Sequence, residues 1–404
     1  MEDFGVMLRQ HRKAAGWSLR KFAEQIAYDF GYLGQIERGE RPPTAEVVAA
    51  YDRELAAGNA LEAAFASRQA GDTDMRRRSI LQAMGALAAV PATDRLVGWE
   101  ALRHGLGVAV DVEWDEWAVL VADYGRGFYL QPHDQLMAQL GRDLTVLQHQ
   151  LAVDRGNRRP MLLRVAAHLS VIIALGLVGS GQAAIARRWW RTAQRVADES
   201  GDADTRVLTR AWDVVNGCYD GRSPAALVAL SEQVSLLDEP ASAATCGLLA
   251  GRAQALSLAG RHGEAVDTVR RLADHVEALP VEVAEDVESL WGWPEHRLRH
   301  TESWVYTHAG LYDFASAAQE RALKLYPVSQ QRLRTQVQLH RAAALTQGGH
   351  IPDGLRLAAD LLDRLPRDQH NELVRTLARK VAAAVPNRER ARPMYGELME
   401  RVRV

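Results

Sequence analysis

The chain has 404 residues, 47% of them hydrophobic and 25% charged, and a formal net charge of −2. At about 100–200 residues per domain this length predicts two or three domains, large enough to bury a core without disulfides or metals. The near-zero charge excludes a polybasic nucleic-acid coat, so any DNA contact must be local. Cys218 and Cys246 supply neither a disulfide framework nor a Cys-x-x-Cys metal site; they read as small buried thiols in a reducing cytoplasm.

Lys13, Lys21, Lys324 and Lys380 are the only lysines, which leaves 45 arginines. With abundant Ala, Gly and Val, this reads as the codon bias of a GC-rich bacterial genome, as in actinobacteria, and carries no mechanism. Strand signals are scarce. Apolar residues recur at three- and four-residue spacing in segments of about 12–18 residues punctuated by Gly, Pro, Asp or Asn, which predicts an all-α protein.

Residues 1–66 read as a compact unit of short helices. A first helix over 4–15 offers Phe4, Met7 and Leu8 to a core. Ser18 can cap a second helix running to Ile26, with Phe22, Ala23 and Ile26 as its apolar stripe. Ala27 is small, as a tight turn between helices requires. Asp29 can cap a third helix whose Leu33 and Ile36 face inward and which Gly39 ends. Phe30, Gly31, Tyr32, Gly34, Gln35 and Arg38 are left around the outer face of that helix. A helix fits the major groove of B-DNA, and its first residues reach base edges. Seven basic residues against four acidic ones between positions 9 and 44 leave a modest local excess of three positive charges. One copy should therefore bind weakly at physiological salt.

In length, in Ala23, in the apolar positions and in the closing Ile36-Glu37-Arg38-Gly39, residues 17–39 resemble the helix-turn-helix of Cro/C1-type (XRE family) transcription regulators. The resemblance covers about residues 4–58. It implies a sequence-specific, double-stranded DNA-binding head that usually acts as a homodimer. Phe30, Tyr32 and Gln35 would face the DNA, with Arg20, Lys21, Gly31, Arg38 and Arg41 around them. It also implies a buried ion pair between Arg12 and Glu37. Phe30 and Gly31 stand where many relatives carry polar base-reading side chains. Readout is therefore expected to lean on apolar contact with thymine methyls, phosphate positioning and DNA shape.

Residues 67–98 read as a linker containing a basic-ended amphipathic helix. Arg76-Arg77-Arg78-Ser79-Ile80-Leu81, with the apolar run that follows, is similar to a twin-arginine export signal. Its internal position behind a folded unit favours the linker reading. No membrane span is expected, since the longest apolar run, residues 169–179, is about half the length a span needs.

From residue 99 to 404 the chain reads as successive helix pairs. Gly310, Ala315, Ala322 and Pro327 recur as Gly349, Gly354, Leu361 and Pro366, all offset by 39 residues, a sign of stacked helical hairpins. Earlier pairs fall at 161–178 and 182–200, 203–216 and 224–238, and 241–259 and 264–278. An acid-rich insertion at 280–295 reads as a loop or cap on the solenoid. The region resembles degenerate tetratricopeptide repeats, best in Tyr312-Asp313-Phe314-Ala315 to Pro327.

His296-x-x-x-His300 reads as a solvated or groove-lining pair rather than a metal site, and no cofactor is expected. Trp189-Trp190 and Trp114-x-x-Trp117 read first as core and otherwise as lining of an apolar pocket. No phosphate loop, nucleophile elbow or spaced Cys/His set is present, so the reading is not an enzyme. For an effector such as a signalling peptide, the candidate contacts on inner helices are Arg210, Asp213, Asn216, Arg252, Gln338 and Arg341. Together these point to a cytoplasmic transcription regulator with a sensing and dimerising solenoid. The alternatives are a protein-interaction scaffold whose head is an address tag, and an exported or membrane-tethered protein.

Overall fold

The structure, a computed structural model, describes residues 4–39, 41, 43–65, 113–154, 156–234 and 240–403. The linker and the Arg76–Ala92 stretch lie outside the described residues. The described residues are all-helical, 77% of them in helix, and contain no strand. They divide into two compact units, one within 1–105 and one within 106–404.

The amino-terminal unit packs α1 (Phe4–Ala14), α2 (Leu19–Gln25), α3 (Phe30–Glu37) and α4 (Ala45–Glu54) around Leu8, Phe22, Leu33, Ile36, Val47, Val48 and Tyr51. Its sequence signals act as expected. The Lys21 N–H donates to Ser18 Oγ at 3.3 Å, and the Tyr32 N–H to Asp29 Oδ1 at 2.8 Å. These caps satisfy amide groups that the first helical turn leaves open. Ala27 stands at φ 58° and Gly39 at φ 76°, so the turn before α3 and the stop after it both use the left-handed region. Ala27 is the smallest side chain that carries that strain with a Cβ. A further helical stretch at 60–65 is tied to α4 by Asp52. Its buried carboxylate accepts from the N–H groups of Asn59, Leu61 and Glu62 at 2.7–2.9 Å.

The second unit begins with α5 (Glu113–Leu130) and α6 (His133–Val153), and continues as helical hairpins. These are α7 (Arg159–Gly179) with α8 (Ala183–Ser200), α9 (Ala203–Gly217) with α10 (Pro224–Ser231), and α11 (Ala243–Leu258) with α12 (His262–Glu277). After a short α13 (Val281–Ala284) come α14 (Glu295–His308) with α15 (Tyr312–Leu325), α16 (Gln331–Gln347) with α17 (Ile351–Arg364), and α18 (Glu372–Ala383) with α19 (Pro393–Arg403). The first helix of each pair is inner. Burial separates the two rows: 13 of the 16 residues of α11 are buried, against four of the 16 of α12. Each inner helix packs on the inner helix of the next pair, and α18 returns to touch α7, so the inner row closes around a central space.

Four inner-to-outer turns are built alike. Gly181, Gly260, Gly310 and Gly349 have φ between 71° and 92°. In each, the following residue donates its N–H to a carbonyl five positions back, as Leu311 does to Tyr306 at 2.9 Å and His350 to Leu345 at 2.8 Å. This is the Schellman closure, which a left-handed glycine makes possible. With Gly221, at φ 81°, these glycines are spaced 40, 39, 50 and 39 residues apart. The long interval contains the insertion. Ala315 and Gly354, partners in the 39-residue offset, both face inward. A Cβ on Gly354 would lie 2.7 Å from the Ala342 carbonyl oxygen.

Three expectations need correction. The helix at 224–238 stops at Ser231, and residues 235–239 lie outside the described residues. The insertion does not lie on the outside: Trp291 Nε1 donates to the Val121 carbonyl at 2.8 Å and the Leu290 N–H to the Gly125 carbonyl at 2.9 Å, which pins it to α5. Lastly, α7 is long and apolar enough by length and composition to cross a membrane, although its uninterrupted apolar run is short. Of its apolar window 78% is buried among the other helices, as suits an inner helix that is surrounded by protein.

Candidate functional site

In the amino-terminal unit the first helix is locked to the third by ionic and hydrogen bonding. Arg12 Nε and Nη2 each lie 2.6 Å from a Glu37 carboxylate oxygen, and Arg12 Nη1 donates to the Trp17 carbonyl at 2.6 Å. Tyr51 Oη donates to Glu37 Oε1 at 3.0 Å. Both charged side chains are buried. The bond to Glu37 raises the Arg12 pKa, and burial beside the Glu37 charge raises that of Tyr51. Such a bidentate pair fixes an angle as well as a distance, so α3 is held rigidly on α1.

On the outer side, Phe30, Gln35, Arg38, Arg20, Lys21 and Arg41 are exposed, while Gly31 and Tyr32 are half-buried. Phe30, at the first turn of α3, is 57% exposed, an unusual state for a large apolar ring. Tyr32 stacks on Tyr28, with ring planes 16° apart, and the Arg41 guanidinium lies 4.8 Å from the Tyr32 ring centre. A cation is thereby held over the start of α3. Arg20 pairs loosely with Glu24 at 3.8 Å, both in solvent. Phe30, Gly31, Tyr32 and Gln35 belong to α3, Arg38 is its C-terminal cap, Arg41 follows it, and Arg20 and Lys21 stand in the first turn of α2. Gly34 does not belong with them. It is buried, and a Cβ there would lie 3.1 Å from Arg38 Nη1 and 3.5 Å from Leu19 Cδ2. The glycine lets Arg38 fold across α3.

In the second unit the inner helices, together with the end of α5, the turn after it and the insertion, line a cavity of about 570 Å3. Its wall combines Trp212, Trp291, Trp293, Tyr129, Tyr219 and Tyr326 with Asn216, Gln254, Gln336, Arg297 and Arg332. Of the six effector candidates only Asn216 is part of it; its Nδ2 donates to the Trp212 carbonyl at 2.9 Å. Arg210 pairs with Asp198 at 2.9 Å, and Arg252 with Glu232 at 3.2 Å. Asp213 is buried between Arg222 at 2.5 Å and Gln194 at 2.8 Å, and burial raises its pKa. Gln338 is half-buried and Arg341 exposed, both away from the cavity. The reason is helical register. Arg332 and Gln336, one turn apart on α16, face inward; positions two and five past Gln336 fall on the far side of the helix.

Several wall residues carried no signal of their own. Arg297 donates to the carbonyls of Leu290 and Ser289 and to Tyr129 Oη at 3.0–3.2 Å, with Trp212 and Trp293 rings within 5.7 Å. Trp291-Gly292-Trp293 had marked the insertion, but not its inward course. Trp190 and Trp117 are core residues, Trp117 Nε1 donating to Gln150 Oε1 at 3.0 Å. Trp189 is half-buried and the Trp114 side chain lies outside the described residues. His296 and His300 are buried rather than solvated; His300 lines the cavity, its Nδ1 2.9 Å from Tyr326 Oη, and His296 does not. Burial lowers the His296 pKa to about 3 and that of His300 to about 4, so both are neutral near pH 7. Cys218 and Cys246 are free and buried, and burial pushes both thiols up to about 12.

The family model of a helix-turn-helix domain matches residues 3–65. No curated protein and no solved structure matches the chain. The amino-terminal unit is a helix-turn-helix DNA-binding domain.

Proposed function

We propose that the protein is a sequence-specific transcription regulator of the Cro/C1 type. A head at 1–66 reads an operator, a linker at 67–98 follows, and a tetratricopeptide-like solenoid at 99–404 mediates dimerisation and binds an effector. The observation that carries the reading is the third helix of a matched helix-turn-helix domain. It is held by a buried ion pair to α1 and presents Phe30, Gln35 and Arg38 to solvent. Phe30 can meet a thymine methyl, Gln35 a base edge, and Arg41 with Lys21 and Arg20 the phosphates. Because one head carries few positive charges, two heads on a two-fold site are needed for affinity at physiological salt. An effector shifts such a dimer only by binding one of its shapes more tightly than the other.

Genome-wide mapping of bound DNA in the native cell is expected to return a short motif with two-fold symmetry. On that operator, Gln35→Ala and Arg38→Ala each lower affinity by about 1–3 kcal/mol and leave the solenoid folded. Unchanged affinity in both variants removes this docking face.

A further inference from the structure

Arg332 lines the solenoid cavity and its side chain makes no hydrogen bond or ion pair among the described residues. Burial lowers its pKa, and the only neighbouring group that pulls the other way is the Tyr129 phenol. An arginine does not deprotonate in a protein, so this is a charged, half-buried guanidinium in the cavity wall with no counter-ion among the described residues. Arg297, on the same wall, is hydrogen-bonded only to neutral oxygens, one of them the Tyr129 hydroxyl. Tyr129 therefore stands beside both cations. Among the described residues Asp134 is the one acid in the wall, and it is exposed. Gln254 Oε1 and Gln336 Nε2, on two other wall residues, also lack hydrogen-bond partners. Buried polar groups and above all buried charges are ordinarily paired. This wall is built with positive charge and hydrogen-bonding capacity left unused.

Much of the rest of the wall is apolar, with tryptophan and tyrosine rings set among Leu, Val and Ala side chains. Trp212 and Trp293 flank Arg297, and the cavity, at about 570 Å3, falls in the range of sites for small molecules. We propose that this cavity is a ligand site for an amphipathic monoanion, whose carboxylate or other acidic group is held by Arg332 and Arg297 beside Tyr129 and whose apolar or aromatic body lies against the tryptophans. The acidic group can come from a small organic acid or from the C-terminal carboxylate of an apolar peptide. The proposal rests on the reading of the solenoid as the sensing part of the protein.

The test uses the full chain and two fluorescent dyes with the same rings. These are 1-anilinonaphthalene-8-sulfonate, which is anionic, and N-phenyl-1-naphthylamine, which is neutral. Wild-type protein binds the anionic dye at least tenfold more tightly. Arg332→Met removes that preference and Arg332→Lys keeps it. Arg252→Met, whose parent side chain pairs with Glu232 away from the cavity, changes nothing. Equal binding of the two dyes by wild-type protein overturns the proposal, as does a preference that survives in both Arg332→Met and Arg297→Met. Displacement of the bound anionic dye then separates the sources. Indole-3-acetate represents the small acid; an apolar pentapeptide with a free carboxylate, compared with its C-terminal amide, represents the peptide. Displacement by neither acid, or displacement by the peptide amide as strong as that by the peptide acid, overturns the proposal. Dye binding needs no DNA. A charge-dependent site whose occupant leaves operator affinity unchanged removes the sensing reading and keeps the site. An operator response to a ligand indifferent to Arg332 and Arg297 does the reverse.

Discussion

Glu37 sits 3% exposed in the core of the head and is held from three directions by Arg12, Tyr51 and the helix that carries it. Glu37→Ala leaves the Arg12 guanidinium buried without a counter-charge. The expected cost is about 3–5 kcal/mol, most of the stability of a small domain. Amide exchange in the head of the full chain should quicken by about two to three and a half orders of magnitude, at about 1.4 kcal/mol per decade, and operator binding should fall with it. Replacing the whole cluster, as Arg12→Met/Tyr51→Phe/Glu37→Leu, should restore most of the protection, because no charge is then buried alone. If the single variant exchanges like wild type, the pair is not what holds α3 on α1.

Between elements, the decisive contacts are backbone against backbone. A Cβ on Gly5 would lie 2.2 Å from the Ile36 carbonyl oxygen, and neither helix has a flexible group there that can yield. Gly5→Ala must push α1 off α3 and is expected to cost the head about 1–3 kcal/mol, which hydrogen exchange of α1 and α3 reads directly. Gly263, in α12, has nothing within 4 Å of the same position. Gly263→Ala is therefore expected to stabilise the solenoid by up to about 1 kcal/mol, since alanine loses less backbone entropy in a helix; a rise in its thermal midpoint checks this. The same substitution in the same kind of element thus changes sign with what the helix faces.

At the scale of the whole chain, the solenoid gathers a set of neutral histidines beneath its cavity. Burial lowers the pKa of His296 to about 3 and of His300 and His308 to about 4, and puts His340 well below its ordinary value. Their unfolded values lie near 6.5, so the unfolded chain binds more protons at every pH between about 4 and 6.5. The stability they permit is complete above about pH 6.5 and is lost as pH falls through that window. Each histidine contributes a slope of up to about 1.4 kcal/mol per pH unit. Burial raises the carboxyls of Asp213 and Glu302, which act in the opposite sense. The comparison that isolates the histidine effect is wild type against His340→Leu. The variant should show a flatter fall in thermal midpoint from pH 6.5 to 4.5, and parallel curves would remove His340 from the account.

Most of the head was legible in the sequence because its determinants are local. A cap such as Ser18 or Asp29 acts on an amide three residues away, and the Ala27 turn and Gly39 stop are single-residue events. The Arg12–Glu37 pair came from the resemblance rather than from spacing, and the structure places it. The glycine period of the hairpins was legible for the same local reason, although only one 39-residue offset stood out before the turns could be compared. The cavity was not legible. Its wall draws on residues from Phe128 to Leu373, and which side of an inner helix faces it is set by how that helix packs on its neighbours. With polar side chains on every side, α16 carries no amphipathic stripe from which to read that direction. So nothing local distinguishes Arg332 and Gln336 from Gln338 and Arg341 on the same helix. The course of Trp291 and Trp293 into the interior was likewise decided by hydrogen bonds to α5, some 170 residues earlier in the chain. Local chemistry determined which helices form and where they stop. Only packing between distant helices decided which positive charges face the cavity without an acidic partner.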